Sequence, residues 1–270
     1  MVLIDSHCHP QFPHYEQDRD EMMKRTLNGG VFMICVGTDL KTSKNGIELA
    51  EKCEGVWATV GLHPTAIPQP RKNPLGSTGA EPSTSNDNLN ENFNPKEYSE
   101  LLNHEKVVGF GEIGLDYYRT KETKDQKFQK QRFEEQLALA KEINKPVVIH
   151  CREAHKDMLQ ILTNDYRGVI HSFTGNLEEA KKYLDLGFYL GFNGIITFAN
   201  QYDEIVKYSP LENILLETDA PYLTPEPFRG KRNEPLYVKY VAQKIADLKG
   251  LSYSQVAEKT FENTKKLFGI

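Results

Sequence analysis

No apolar run in this chain reaches 18 residues, so no membrane-spanning helix is expected. Nor is there an excess of base: 33 Lys plus Arg stand against 38 Asp plus Glu, a net charge of −5. That balance argues against a broad cationic surface for gripping long duplex DNA, but not against phosphate recognition through metals or a few arginines. Cysteine is scarce. Cys8, Cys35, Cys53 and Cys151 follow no disulfide framework, which fits a reducing compartment and roles in packing. Only Val2, Leu3 and Ile4 precede Asp5, too short an apolar run for a secretion signal, so a cytoplasmic or nuclear location is expected. A G-x-G-x-x-G turn after the first apolar segment is also missing, which removes the usual sign of a dinucleotide-binding open sheet.

What remains is the ordinary mixture of a soluble globular protein, 39% apolar and 26% charged over 270 residues. Eight segments rich in Val, Ile, Leu and Phe recur at 2–9, 31–38, 56–63, 107–116, 146–151, 168–174, 188–197 and 214–219. Nearly continuous apolar runs of this length suit strands buried on both faces, as in a parallel sheet. Amphipathic stretches separate them: Phe133, Leu137, Ala140 and Ile143 share one helix face, as do Leu177, Ala180 and Leu184. Asn233 with Pro235 opens a helix carrying Val238, Val241, Ala242 and Ile245, and Ser252 with Gln255 forms a capping box for the last helix. Strand alternating with helix eight times predicts an α/β fold, a (β/α)₈ TIM barrel, with 1–270 as a single domain. One segment interrupts the rhythm. From Pro68 to Pro95 there are five Pro, six Asn and only Leu75, Ala80, Leu89 and Phe93 as apolar residues, a composition that reads as a mobile surface insertion.

Active sites of such barrels collect at the C-terminal ends of the strands. The first segment ends Asp5-Ser6-His7-Cys8-His9, and strict alternation puts Asp5, His7 and His9 on one face and Cys8 on the other. The fourth carries Glu112 between glycines, a carboxylate costly to bury unless it is paired or metal-bound. His150 and His171 end the fifth and sixth, and Glu217 with Asp219 end the eighth. Four imidazoles and two carboxylates (His7, His9, His150, His171, Glu112 and Asp219) exceed what one tetrahedral zinc accepts, so two divalent ions are the more economical reading. The mixed donor set suits Zn, Mn or Fe and admits Mg. Two ions about 3.5–4 Å apart are the usual hydrolytic arrangement. Asp219 is then the candidate base, and Glu217 a group that orients a ligand imidazole.

D-S-H-C-H at 5–9, V-G-L-H-P at 60–64, G-E-I-G-L-D-Y-Y-R at 111–119, I-H-C-R-E at 149–153, H-S-F-T-G at 171–175 and E-T-D-A-P-Y-L-T-P at 217–225 together resemble the TatD family of metal-dependent deoxyribonucleases. The resemblance runs in order from residue 2 to about 236 and implies an amidohydrolase-superfamily barrel with two divalent ions and 3′→5′ exonuclease activity on DNA. It further implies His7 and His9 on the first ion, His150 and His171 on the second, Glu112 bridging both, and Asp219 on the first ion as base. Single-stranded DNA or frayed 3′ ends would be the substrate. His63, Tyr117, Arg119, Arg229 and Arg232 are the candidate substrate contacts, through phosphate pairing and base stacking. The rival is an amidohydrolase-type enzyme acting on a small amide, lactone or phosphotriester. Those often bridge their metals with a carbamylated lysine, whereas the bridging position here carries Glu112. A metal-binding scaffold without turnover is a third reading, disfavoured by retention of all six ligand positions.

Overall fold

The computed structural model describes residues 2–66 and 92–270. Eight strands form one sheet in sequence order: β1 (Leu3–Cys8), β2 (Val31–Val36), β3 (Val56–Val60), β4 (Val107–Asp116), β5 (Val147–Arg152), β6 (Gly168–Ile170), β7 (Tyr189–Phe192) and β8 (Ile214–Leu216). Every neighbouring pair is parallel. The ring closes where the Asp219 amide donates to the His7 carbonyl at 2.8 Å and the His9 amide to the Ala220 carbonyl at 2.8 Å. Around it lie α1 (Arg19–Asn28), α2 (Leu40–Lys52), α3 (Pro95–Leu102), α4 (Thr123–Glu142), α5 (His155–Ile161), α6 (Leu177–Asp185), α7 (Asp203–Tyr208), α8 (Val238–Lys249) and α9 (Tyr253–Phe268). This is the expected (β/α)₈ barrel. Among the described residues no helix is long and apolar enough to cross a membrane.

Two apolar clusters hold the barrel, and they follow the alternation of the strands. Ile4, Ile34, Val36, Val108, Val148, Val169, Tyr189 and Leu215 fill its interior, with Leu267 and Phe268 from α9 packed against them. Their neighbours on the opposite strand faces, such as Leu3, Met33, Ile149, Ile170 and Leu216, make the layer beneath the helices. Cys8, Cys35 and Cys151 belong to that outer layer, as packing roles require. Local signals set the helix ends. Ser252 Oγ accepts the Gln255 amide while the Gln255 side chain accepts the Ser252 amide, and Gly269 ends α9 at φ 71°.

Three expectations need correction. The strands are shorter than the apolar runs: β3 stops at Val60, β6 at Ile170 and β8 at Leu216, so His63, His171 and Asp219 sit on the loops just beyond. The chain turns there, with Ser172 at φ 46° and Asp219 at φ 56°. Asp5 does not join His7 and His9. The pairing of β1 with β2 shifts register between Asp5 and Cys8, and this one extra residue brings His7 inward although Ile4 also faces the interior. Finally, residues 68–91 of the expected insertion lie outside the described residues, but 92–95 belong to the barrel. Phe93 is buried against Tyr98 (ring centroids 5.2 Å apart), and Asn94 caps α3, whose first residue is Pro95.

Candidate metal centre

Interior side chains fill the barrel up to its mouth, where polar groups replace them. The mouth opens into a cavity of about 420 Å³ whose walls include His9, His63, Glu112, His150, His171 and Asp219. Glu112 lies at the middle. Its carboxylate is 2.7 Å from His150 Nδ1, 2.9 Å from His171 Nε2, and 3.4 Å from both His7 Nε2 and His63 Nε2. Asp219 lies 3.4 Å from His9 Nε2 and 3.7 Å from His7 Nε2. Three overlapping sets of donor atoms result, the atoms within each set lying within 4.8 Å of one another: His7, Glu112 and His171; His7, His9 and Asp219; His63, Glu112 and His150.

The surrounding bonds fix which ring nitrogen each imidazole offers. His9 Nδ1 donates to the Val36 carbonyl at 2.8 Å, which leaves the Nε2 lone pair facing Asp219. His63 is wired the opposite way. Its Nδ1 accepts the Thr65 amide at 3.1 Å, so in the neutral ring Nε2 carries the hydrogen and points toward Glu112 as a donor. Burial keeps that ring neutral by lowering its pKa. His150 presents Nδ1 to Glu112 and to His171 Nε2 at 3.3 Å, and turns Nε2 to Asp116 at 3.3 Å. His171 has Nδ1 3.5 Å from Glu217, and Glu217 is itself anchored by the Ser172 amide at 2.5 Å. Gly191 makes room for that carboxylate, since a Cβ there would fall 2.3 Å from Glu217 Oε2.

The electrostatics describe a centre built for positive charge. Burial alone would raise the Glu112 carboxyl, yet His171, His63, His7 and His150 outweigh it and hold the group ionised well below its usual range. Asp219 is likewise pulled down against its burial by His9, His171 and His7. His171 is raised despite burial, because Glu112 and Glu217 face it. His7 is lowered by burial and by His171, whose ring stacks on it with centroids 3.8 Å apart. Neither nitrogen of His7 has a hydrogen-bond partner, although the side chain is fully buried. An unsatisfied buried group of this kind costs about 1–3 kcal/mol. A cation beside Nε2 removes that cost, and the ionised carboxylates beside it balance the cation's charge. The donor set fits a metal.

Of the residues singled out in sequence, His7, His9, Glu112, His150, His171, Asp219 and His63 come together here. Arg119 joins the cavity wall, 3.9 Å from Asp116 and 60% exposed. Three candidates lie elsewhere. Tyr117 turns its hydroxyl onto Asp157 at 2.9 Å and packs in the layer under the helices, so it offers no face to a base at the mouth. Arg232 gives both terminal guanidinium nitrogens to Asp18 at 2.7 Å and rests on the Tyr15 ring, a tie between loops. Arg229 lies over the Phe198 ring at 3.5 Å and is not on the cavity wall. Two residues were missed. Asp116 follows Glu112 and Gly114 on the same alternating face of β4, and that period would have found it. Asp5, bonded to the Thr218 amide at 2.9 Å and hydroxyl at 2.5 Å, fastens the chain between Glu217 and Asp219.

Residues 4–269 match the protein family described as "TatD related DNase". The chain is 39% identical over 276 residues to the "uncharacterized metal-dependent hydrolase YabD" of Bacillus subtilis (strain 168), covering all of both sequences. It is 32% identical over 269 residues to the "3′-5′ ssDNA/RNA exonuclease TatD" of Citrobacter koseri, covering 95% of each. The crystal structure of YjjV, a TatD homologue from Escherichia coli K12, superposes with a TM-score of 0.82 at 28% identity. That match covers 99% of this chain and 98% of the other.

Proposed function

We propose, since this chain belongs to the TatD-related DNase family of metal-dependent hydrolases, that it is a 3′→5′ exodeoxyribonuclease acting on single-stranded or frayed DNA ends. The observation that supports this most is the convergence of three donor sets, joined because His7 belongs to two of them and Glu112 to two. We assign His7, His9 and Asp219 to one divalent ion, His150 and His171 to a second, and Glu112 to the place between them. Zn, Mn and Mg all suit this set of nitrogen and oxygen donors. Such ions, when bound, would supply Lewis acidity and make a water acidic enough to give up a proton near neutral pH, which turns it into a nucleophile for a phosphodiester.

The protein's own groups do the rest. Asp219 is ionised and its side chain is 17% exposed against 4% for Glu112, so it is the carboxylate placed to take a proton from water in the cavity. Glu217 holds the His171 ring through Nδ1, and Asp116 holds His150 through Nε2. The Nε2 hydrogen of His63, held only loosely by Glu112 at 3.4 Å, can be shared with a phosphate oxygen, and the exposed Arg119 guanidinium offers charge-assisted bonds to the same group. A cavity of about 420 Å³ takes one strand end rather than a duplex. The relatives cited above are bacterial, which gives a nuclear location no support; we place the protein in the cytoplasm.

The test is digestion of a single-stranded oligonucleotide labelled at either end, with Mg or Mn, with and without chelator. Mononucleotides should leave from the 3′ end, faster than from a blunt duplex, and chelator should stop the reaction. An enzyme that leaves DNA intact under every metal but opens a lactone or phosphotriester would overturn the nuclease reading.

A further inference from the structure

We propose that Tyr118 and Arg152, on the rim formed by β4 and β5, make a second nucleotide subsite, where a base stacks on the tyrosine and Arg152 takes the neighbouring phosphate. This rests on the nuclease reading above and extends it from the strand end to the strand body. Among the described residues only five large apolar side chains are exposed, and Tyr118 is one of them at 49%. It stands two residues after β4, next in sequence to Arg119, which lines the cavity. Its orientation is imposed by its neighbour: Tyr117 is drawn inward by its bond to Asp157, which leaves Tyr118 facing outward.

Arg152 ends β5, lines the cavity, and lays its guanidinium 3.9 Å from the Tyr118 ring centroid. No carboxylate among the described residues lies within ion-pair distance of it, in a protein with five more acidic than basic charges. Lys121 lies 5.1 Å from the same ring, but its charge is met by Glu153 at 2.9 Å. The half exposure of Tyr118 is what remains with the arginine already in place. Half of the Tyr118 side chain therefore stays accessible next to an unpaired guanidinium at the edge of the cavity, and a base stacking there would share the ring with Arg152 or displace Lys121 from it. Single-stranded nucleic acid is bound by this combination, cationic groups along the backbone with aromatic faces for the bases. A purely structural cation–π contact would need no position on the cavity wall and no free charge.

The metal-loaded enzyme should be assayed on two substrates: a short thymidine oligonucleotide, and the p-nitrophenyl ester of thymidine 5′-monophosphate, which cannot reach the second subsite. Tyr118→Ala should raise KM for the oligonucleotide about tenfold with kcat held, and leave turnover of the ester as in wild type. Tyr118→Phe should restore the oligonucleotide KM. Arg152→Gln should raise the same KM and flatten its dependence on the logarithm of salt concentration by about 0.7, the loss of one phosphate contact to a single strand. An oligonucleotide cut equally well by wild type and Tyr118→Ala, or an ester affected as much as the oligonucleotide, overturns the subsite alone. An oligonucleotide left intact by the wild-type enzyme overturns the nuclease reading and the subsite with it.

Discussion

Asp219 combines an unusual backbone conformation with an ionised, largely buried carboxylate. Its backbone stands at φ 56°, in the left-handed region that aspartate tolerates better than most side chains. Its carboxylate is ionised against its own burial because three imidazoles face it. The turn lifts the side chain out of the strand line and onto the cavity wall, the position the proposed base requires. Asp219→Asn keeps the shape and the oxygen but loses the negative charge that accepts a proton. It should retain metal while kcat falls by about 10²–10⁴-fold, read from single-turnover digestion of single-stranded DNA beside metal analysis of the variant. His63 is its counterpart among the imidazoles, wired through Thr65 to donate from Nε2, whereas His9 is wired through Val36 to accept there. The ring type is the same, and the partner at Nδ1 decides the role.

At the scale of the element, five of the strands build apolar contacts along their length and carry the centre's polar groups in their C-terminal halves or on the loops just beyond. Gly191 in β7 shows how closely these tips fit. Gly191→Ala puts a methyl group on the Glu217 carboxylate, which supports the Ser172 amide and the His171 ring. The variant should be less stable by about 1–3 kcal/mol in urea unfolding. It should also be less active than that loss alone explains, since His171 loses its support. This level was also the most readable in advance. Apolar runs ending in His150, His171, Glu112 and Asp219 announced both the barrel and its mouth, because buried strands tolerate such groups only where they meet a partner. What escaped the sequence was local register. One extra residue in β1 separates Asp5 from His7 and His9, and period-two counting passes over it. Beyond the end of β4 alternation no longer decides which of Tyr117 and Tyr118 faces outward; the bond to Asp157 does, across 40 residues of sequence. Arg232 likewise looked free until its partner Asp18 arrived from 214 residues away.

For the whole molecule, the contact between Asp18, Arg25, Arg232 and Glu234 ties the entry to α1 to the loop after β8, next to the seam where the barrel closes. Arg232 and then Arg25 hold the Asp18 carboxyl far below the ordinary carboxylate range. A depressed folded-state pKa means that this contribution to stability is complete above about pH 4 and is lost as acid protonates Asp18 in the folded protein. Between pH 6 and pH 3 the urea midpoint of wild type should fall more steeply than that of Asp18→Asn; parallel curves would show that the tie adds nothing.

The barrel's central feature is the joining of His7, His9, Glu112, His150, His171 and Asp219 from five strand tips into one centre. Metal content after chelator stripping and reloading with Mn or Zn measures this most directly. Two ions per chain should be recovered for wild type, and one or none for Glu112→Gln, which loses the carboxylate charge at the middle of the centre. A wild-type chain that takes up no metal, or a Glu112→Gln variant that loads as fully as wild type, would contradict the account.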